Sequence, residues 1–291
     1  MPDTPTAPTA PLNLPVASGD GHQAELSLWR GAAARPGLLW LPALGVPARK
    51  YRHFAAALAE RGCAVALHEW RGHESSNRRA GRNSDWSYAE LLSDIAASRA
   101  ALAQAGPATR WIVGGHSLGA QLAALALALA PQDYAGYVIV GSGQPWWRGF
   151  PGVHKLGLLA AIAGFRGLGA VCGYFPGERI GFGGREARGV MRDWARSAWS
   201  GDYRPQRVTA DLEHALRQLT QPALALSLAS DSYAPRGSLQ HLLAKLPQLR
   251  LSQAELGDAD FAGGKAGHFD WMRDPQPVVR PLMDWMDRLD G

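Results

Sequence analysis

Residues 111–121 read Trp-Ile-Val-Gly-Gly-His-Ser-Leu-Gly-Ala-Gln: an apolar strand pattern that passes through a Gly-x-Ser-x-Gly pentapeptide into an alanine- and leucine-rich helix. This is the layout of a nucleophile elbow, in which a tight strand-to-helix turn lifts one serine hydroxyl above a sheet. The flanking positions must be small because the two backbones approach closely at the turn, and glycine tolerates angles that a Cβ forbids. The pentapeptide alone constrains little. With 34 glycines in 291 residues, chance supplies about one such pentapeptide in four chains of this kind. Its position decides the matter: Trp111, Ile112 and Val113 form a buried-strand run, and residues 118–130 are strong helix formers with no proline until Pro131. The competing reading is a glycine-rich turn whose serine merely caps the helix.

The pattern around the elbow predicts its surroundings. Residues 12–18 and 24–30 read as strands joined by the turn signal Gly19-Asp20-Gly21, and 37–41 as a third strand. A helix over 51–61 carries an apolar stripe of Phe54, Ala55, Leu58 and Ala59 and stops at Gly62. Strand 63–67 and helix 88–105 lead to the elbow, and strand 134–140 follows it. Strands alternating with helices in this way predict a doubly wound, mostly parallel sheet flanked by helices. The alternation breaks over 144–221, a stretch with Trp146, Trp147, Trp194 and Trp199 and many glycines, which reads as a cap inserted into the fold. A strand over 223–228, a helix over 238–246, a strand over 249–254 and a helix over 278–289, with Pro281 in its first turn, complete the core. The expected organisation is a disordered tail over 1–11, a core over 12–143 and 222–291, and a cap over 144–221.

Composition excludes several classes. A hydrophobic fraction of 46% and a charged fraction of 19% describe a soluble globular chain, and the net charge of +5 is spread over arginines interspersed with acids. No long basic run marks a nucleic-acid partner. Cys63 and Cys172 lack metal-ligand or disulfide-framework spacing, and Cys63 reads as a small buried hydrophobe. The N-terminus has no basic and apolar leader pattern. The apolar stretch 156–175 is interrupted by Arg166 and five glycines and makes a poor membrane span. These features imply a cytoplasmic chain without an integral membrane segment, metal or cofactor.

A serine hydroxyl needs a base to take its proton, and the base needs a carboxylate to hold its tautomer. In folds with such an elbow the order is serine, acid, histidine, each past the carboxyl end of a strand. Asp231 follows strand 223–228 in the loop Ala229-Ser230-Asp231-Ser232, and His268 lies in the loop after strand 249–254. Competing acids are Asp258, Asp260 and Asp270, the last only two residues past the base. Other histidines fall in early loops, the cap or helices; His68 precedes the elbow, and His116 adjoins the serine with its ring expected to point away into the packing. The oxyanion that forms in acyl transfer calls for two backbone N–H donors. One is expected from Leu118, at the helix N-terminus, and the other from the turn after the third strand. Pro42 has no N–H, so Leu44 is expected there, with Ala43 as the alternative.

With these pieces placed, the chain resembles the α/β-hydrolase superfamily over about residues 38–289. The matching elements are Gly115-His116-Ser117-Leu118-Gly119, Asp231 with Pro235, Gly267-His268-Phe269 and the turn Trp70-Arg71-Gly72-His73-Glu74-Ser75. The segments 43–47, 141–147 and 173–177 are similar to a group of bacterial hydrolases related to serine aminopeptidase, monoglyceride lipase and lysophospholipase-like enzymes. The chain departs from the pattern at Pro42-Ala43, where a His-Gly pair is usual, and at Glu69 and Glu74 in the arginine turn. The resemblance implies a Ser117–Asp231–His268 triad and metal-free hydrolysis. The first expectation is cleavage of a carboxylic ester or thioester with a small-molecule acyl substrate. A same-triad peptidase, C–C hydrolase or perhydrolase, and a non-catalytic binding protein, are the alternatives.

Overall fold

The computed structural model describes residues 10–31, 35–106, 108 and 110–289, with the side chain of Arg166 outside that description. Most of the tail expected over 1–11 therefore lies outside the described residues. In chain order the main elements are β1 (Leu12–Ala17), β2 (Gln23–Trp29), β3 (Gly37–Leu41), α1 (Arg52–Ala59), β4 (Val65–Leu67), α2 (Tyr88–Ala105), β5 (Trp111–His116), α3 (Leu118–Leu129) and β6 (Gly136–Val140). The intervening segment holds α4 (His154–Cys172), β7 (Phe175–Pro176), β8 (Arg185–Glu186), α5 (Arg188–Ser200) and α6 (Leu212–Arg217). The chain closes with β9 (Pro222–Leu228), α7 (Arg236–Ala244), β10 (Arg250–Leu256) and α8 (Gln276–Asp287).

Eight strands form one sheet in the order β1-β2-β4-β3-β5-β6-β9-β10. β2 runs antiparallel to β1 and β4, and the remaining neighbours are parallel. The central parallel strands β3, β4 and β6 are covered on both faces, so their residues are apolar throughout and successive side chains enter opposite layers. In β6, Tyr137 and Ile139 join the layer of α2 and α3, while Val138 and Val140 join the layer of α1 and α8. From β3 the chain first goes to β4 on one side and then returns to β5 on the other. The strand order thus reverses between β3 and β5, the place where open α/β sheets form a crevice beyond the strand ends.

Two sequence expectations change in detail. α8 starts at Gln276, so Pro281 sits inside the helix rather than in its first turn. The face made by Val278, Val279, Leu282, Met283, Trp285 and Met286 is buried, and that burial outweighs one missing backbone hydrogen bond. The apolar stretch read as interrupted is a continuous helix, α4; its glycines do not break it.

Candidate active site

Ser117 follows the last residue of β5 with φ 55° and ψ −123°, a conformation that few residues other than glycine adopt. Strain of this kind persists only where the surroundings over-determine it. Here they do. A Cβ on Gly119 would lie 2.0 Å from the Leu41 carbonyl oxygen, and one on Gly115 2.4 Å from the Gly119 carbonyl carbon, so only glycine permits this contact between α3, β5 and the end of β3. Ser142 Oγ donates to the Ser117 carbonyl at 2.6 Å and fixes the turn from the β6 side. The Ser117 side chain makes no capping hydrogen bond to α3, which removes the reading of a simple helix cap.

Asp231 is buried in the loop after β9, and its two oxygens have separate partners. Oδ1 accepts from the Tyr233 and Ala234 N–H groups at 2.8 and 3.0 Å. Oδ2 accepts from His268 Nδ1 at 2.7 Å. The carboxylate therefore fixes the His268 tautomer, leaving Nε2 as the free, basic nitrogen. Gly141 makes room: a Cβ there would come within 3.3 Å of both Asp231 Oδ2 and the His116 ring. The competing acids are engaged elsewhere. Asp258 accepts from Ser230 Oγ and the Ala266 N–H, Asp260 from the Gly257 N–H, and Asp270 pairs with Lys265 at 3.7 Å.

The loops after β5, β9 and β10 emerge at the same edge of the sheet, and the ring of His116, beside Ser117, packs 4.5 Å from the His268 ring. Asp231 and His268 are joined directly. Among the described residues no hydrogen bond joins Ser117 Oγ to His268 Nε2; such contacts commonly tighten only when substrate is bound. Ser117 forms part of the wall of a cavity of about 280 Å³, together with Phe150, Leu158, Phe165, Phe182 and Trp194 from the segment between β6 and β9.

The family model described as serine aminopeptidase, S33, matches residues 38–164. No curated protein matches the sequence. Among solved structures, a hydrolase from Pseudomonas aeruginosa PA01 is similar at 21% identity and a TM-score of 0.57, covering 94% of this chain and 98% of that one. The lipolytic enzymes LipS and LipT are represented by a structure at 14% identity and a TM-score of 0.62, covering 90% and 97%. The thioesterase domain from the curacin biosynthetic pathway is similar at 15% identity and a TM-score of 0.60, covering 96% and 99%. The sheet order, the strained elbow and these likenesses agree. The chain has the α/β-hydrolase fold.

In this α/β-hydrolase fold, Leu118 opens α3, so its N–H has no intrahelical acceptor. The Ala43 N–H is taken: it donates to Tyr51 Oη at 2.9 Å. Among the described residues the Leu44 N–H has no acceptor, and of the two alternatives it alone remains open. Sequence reasoning missed Tyr51. Its hydroxyl also meets His116 Nδ1 at 2.8 Å and so links the β3 turn, the elbow and the His268 ring through one buried side chain. Burial pushes the His116 pKa well below its ordinary value, so a neutral imidazole lies beneath His268. No local pattern announces such a link, because Tyr51 ends a one-turn helix over Ala48–Tyr51 and His116 ends a distant strand.

The arginine turn is structural. Arg71 is buried and pairs with Asp94 and Asp20 at 2.5 and 2.6 Å, and its guanidinium holds the Asp20 carboxyl down at about 2. Among the described residues no group of three or more His, Cys, Asp or Glu side chains is arranged to hold a metal ion.

Proposed function

We propose that this chain is a serine hydrolase that cleaves a carboxylic ester or thioester through Ser117, His268 and Asp231. Ser117 Oγ attacks the carbonyl carbon while His268 Nε2 takes its proton, and Asp231 stabilises the resulting imidazolium. The oxygen that gains charge accepts hydrogen bonds from the Leu118 and Leu44 N–H groups, the first aided by the dipole of α3. Collapse breaks the bond to the leaving alcohol or thiol, which takes the proton from His268, and leaves an acyl-enzyme on Ser117. Water then attacks that carbonyl, again with His268 as base, and releases the acid. The observation that carries this reading is the buried Asp231–His268 hydrogen bond beside a strained serine at a cavity wall.

The cavity supports an acyl group over a peptide amino terminus. Its walls are largely aromatic and aliphatic, and among the described residues no carboxylate lines it to hold an ammonium group. The S33 family likeness favours amide cleavage, so the two are set against each other. A series of nitrophenyl esters of increasing chain length, run beside aminoacyl nitroanilides, is expected to show ester turnover that falls off once the chain outgrows the cavity. Turnover confined to the nitroanilides would overturn the ester reading.

A further inference from the structure

α4 has two unlike faces. Its inner face gives Ile162 and Phe165 to the core, and Leu158 and Ala161 to the wall of the Ser117 cavity. Its outer face is exposed and apolar: Leu156 is 68% exposed and Val171 72%, with Val153, just before the helix, at 76%. Between them lie Ala160, Ala163, Gly164 and Gly167, also exposed. Lys155 and Arg166 are the only charged residues in the helix sequence, and no acid is present. By length and composition α4 could cross a membrane, yet only 18% of its most apolar window is buried. A helix facing water ordinarily carries charges on its outer side, and a contiguous apolar face marks an interaction site.

The neighbouring helix adds a row of positive charge, and its one acid, Asp193, is buried. Arg188, Arg192 and Arg196 follow one another at intervals of four along α5. Arg192 and Arg196 line a groove of about 490 Å³ with Leu159, Ile162, Ala163 and Trp199, and Trp199 is 61% exposed. Arg192 continues with Arg188 into a smaller hollow floored by Phe165, Gly169 and Ala170. Arg188 has a partner in Asp85 at 3.3 Å, and Arg196 donates to the Arg204 carbonyl, whereas Arg192 Nε is buried without a partner among the described residues.

We propose that the outer face of α4 and the arginine row of α5 dock the protein on an anionic lipid surface, a role that rests on the acyl-ester reading of the cavity behind them. Charge selects this occupant. In a symmetric contact with a second copy, the arginine rows of two chains of net charge +5 would face each other, whereas anionic headgroups neutralise them. Geometry selects the mode. The inner face of α4 is committed to α5 and the cavity, so the helix lies along the surface with its outer face among the acyl chains instead of spanning the bilayer. The same helix that meets the lipid forms the cavity wall, which gives an acyl chain leaving the surface a path along α4 towards Ser117.

Co-sedimentation of the full chain with phosphatidylcholine vesicles, with and without 30% phosphatidylglycerol, tests the proposal. Binding to the anionic vesicles is expected to be at least tenfold tighter and to weaken with salt. Leu156→Glu/Val171→Glu is expected to reduce it more than tenfold while hydrolysis of a short, water-soluble nitrophenyl ester is unchanged. Arg192→Gln/Arg196→Gln is expected to remove the preference for anionic vesicles. The proposal is overturned if the wild-type chain stays in the supernatant or if Leu156→Glu/Val171→Glu sediments equally well. A dimer dispersed by that double variant, without vesicle binding, would assign the face to a second copy instead. Sedimentation needs no turnover, so a docking failure leaves ester cleavage standing, and a chain that docks but cleaves no ester contradicts the hydrolytic reading alone.

Discussion

The two oxygens of Asp231 do different jobs: Oδ1 is clamped by backbone N–H groups and Oδ2 is left for His268 Nδ1. Asp231→Asn keeps the shape but presents an amide to the ring and disturbs its tautomer. Steady-state hydrolysis is expected to fall by roughly 10³–10⁴-fold in kcat with the thermal midpoint little changed. Tyr51→Phe acts differently. It strands the buried Ala43 N–H, which is expected to cost about 1–3 kcal/mol in denaturant unfolding. The chain order of serine, acid and histidine directs attention to Ser117, Asp231 and His268, and the structure joins the last two by one hydrogen bond. Tyr51 was not visible, and Leu44 could be separated from Ala43 only through it, because backbone donors leave no side-chain mark.

Elements were legible wherever a period was long enough to read. Gly37–Leu41 and Tyr88–Ala105 have the limits that patterning predicts, and most other elements differ by a residue or two at their ends. The two-residue strands β7 and β8 have no period to read, and the glycines of α4 hid a continuous helix. Those glycines divide into two kinds. Gly119 touches the end of β3, so Gly119→Ala must push the elbow away from Leu41 and is expected to destabilise by about 1–3 kcal/mol and lower turnover together. Gly164 has nothing within 4 Å of a Cβ. Gly164→Ala is therefore expected to raise stability in denaturant by about 0.5–1 kcal/mol and leave ester turnover unchanged.

For the whole molecule, two adjacent buried residues set opposing responses to pH. Burial pushes His68 down to about 4 and Glu69 up to about 7. The unfolded chain binds a proton at His68 that the fold does not accept, so its contribution is full above 6.5 and is lost as pH falls towards 4. Glu69 keeps a proton that the unfolded chain releases, so its contribution is full below 4.5 and is lost as pH rises towards 7. Over the shared window the two slopes oppose each other, and His116, also pushed down by burial, adds to the His68 side. Removing the Glu69 response should expose the histidines. Glu69→Gln is expected to make stability rise more steeply with pH from 4.5 to 6.5, by up to about 1.4 kcal/mol per pH unit. Thermal midpoints at the two ends of that window check this, and a slope equal to the wild type's would contradict it.

Intact-mass analysis after treatment with a fluorophosphonate probe, followed by mapping of the modified peptide, tests whether Ser117 is the nucleophile. One adduct is expected, on Ser117, lost in Ser117→Ala and greatly slowed in His268→Ala. A folded wild-type chain that acquires no adduct, or acquires it at another residue, would contradict it.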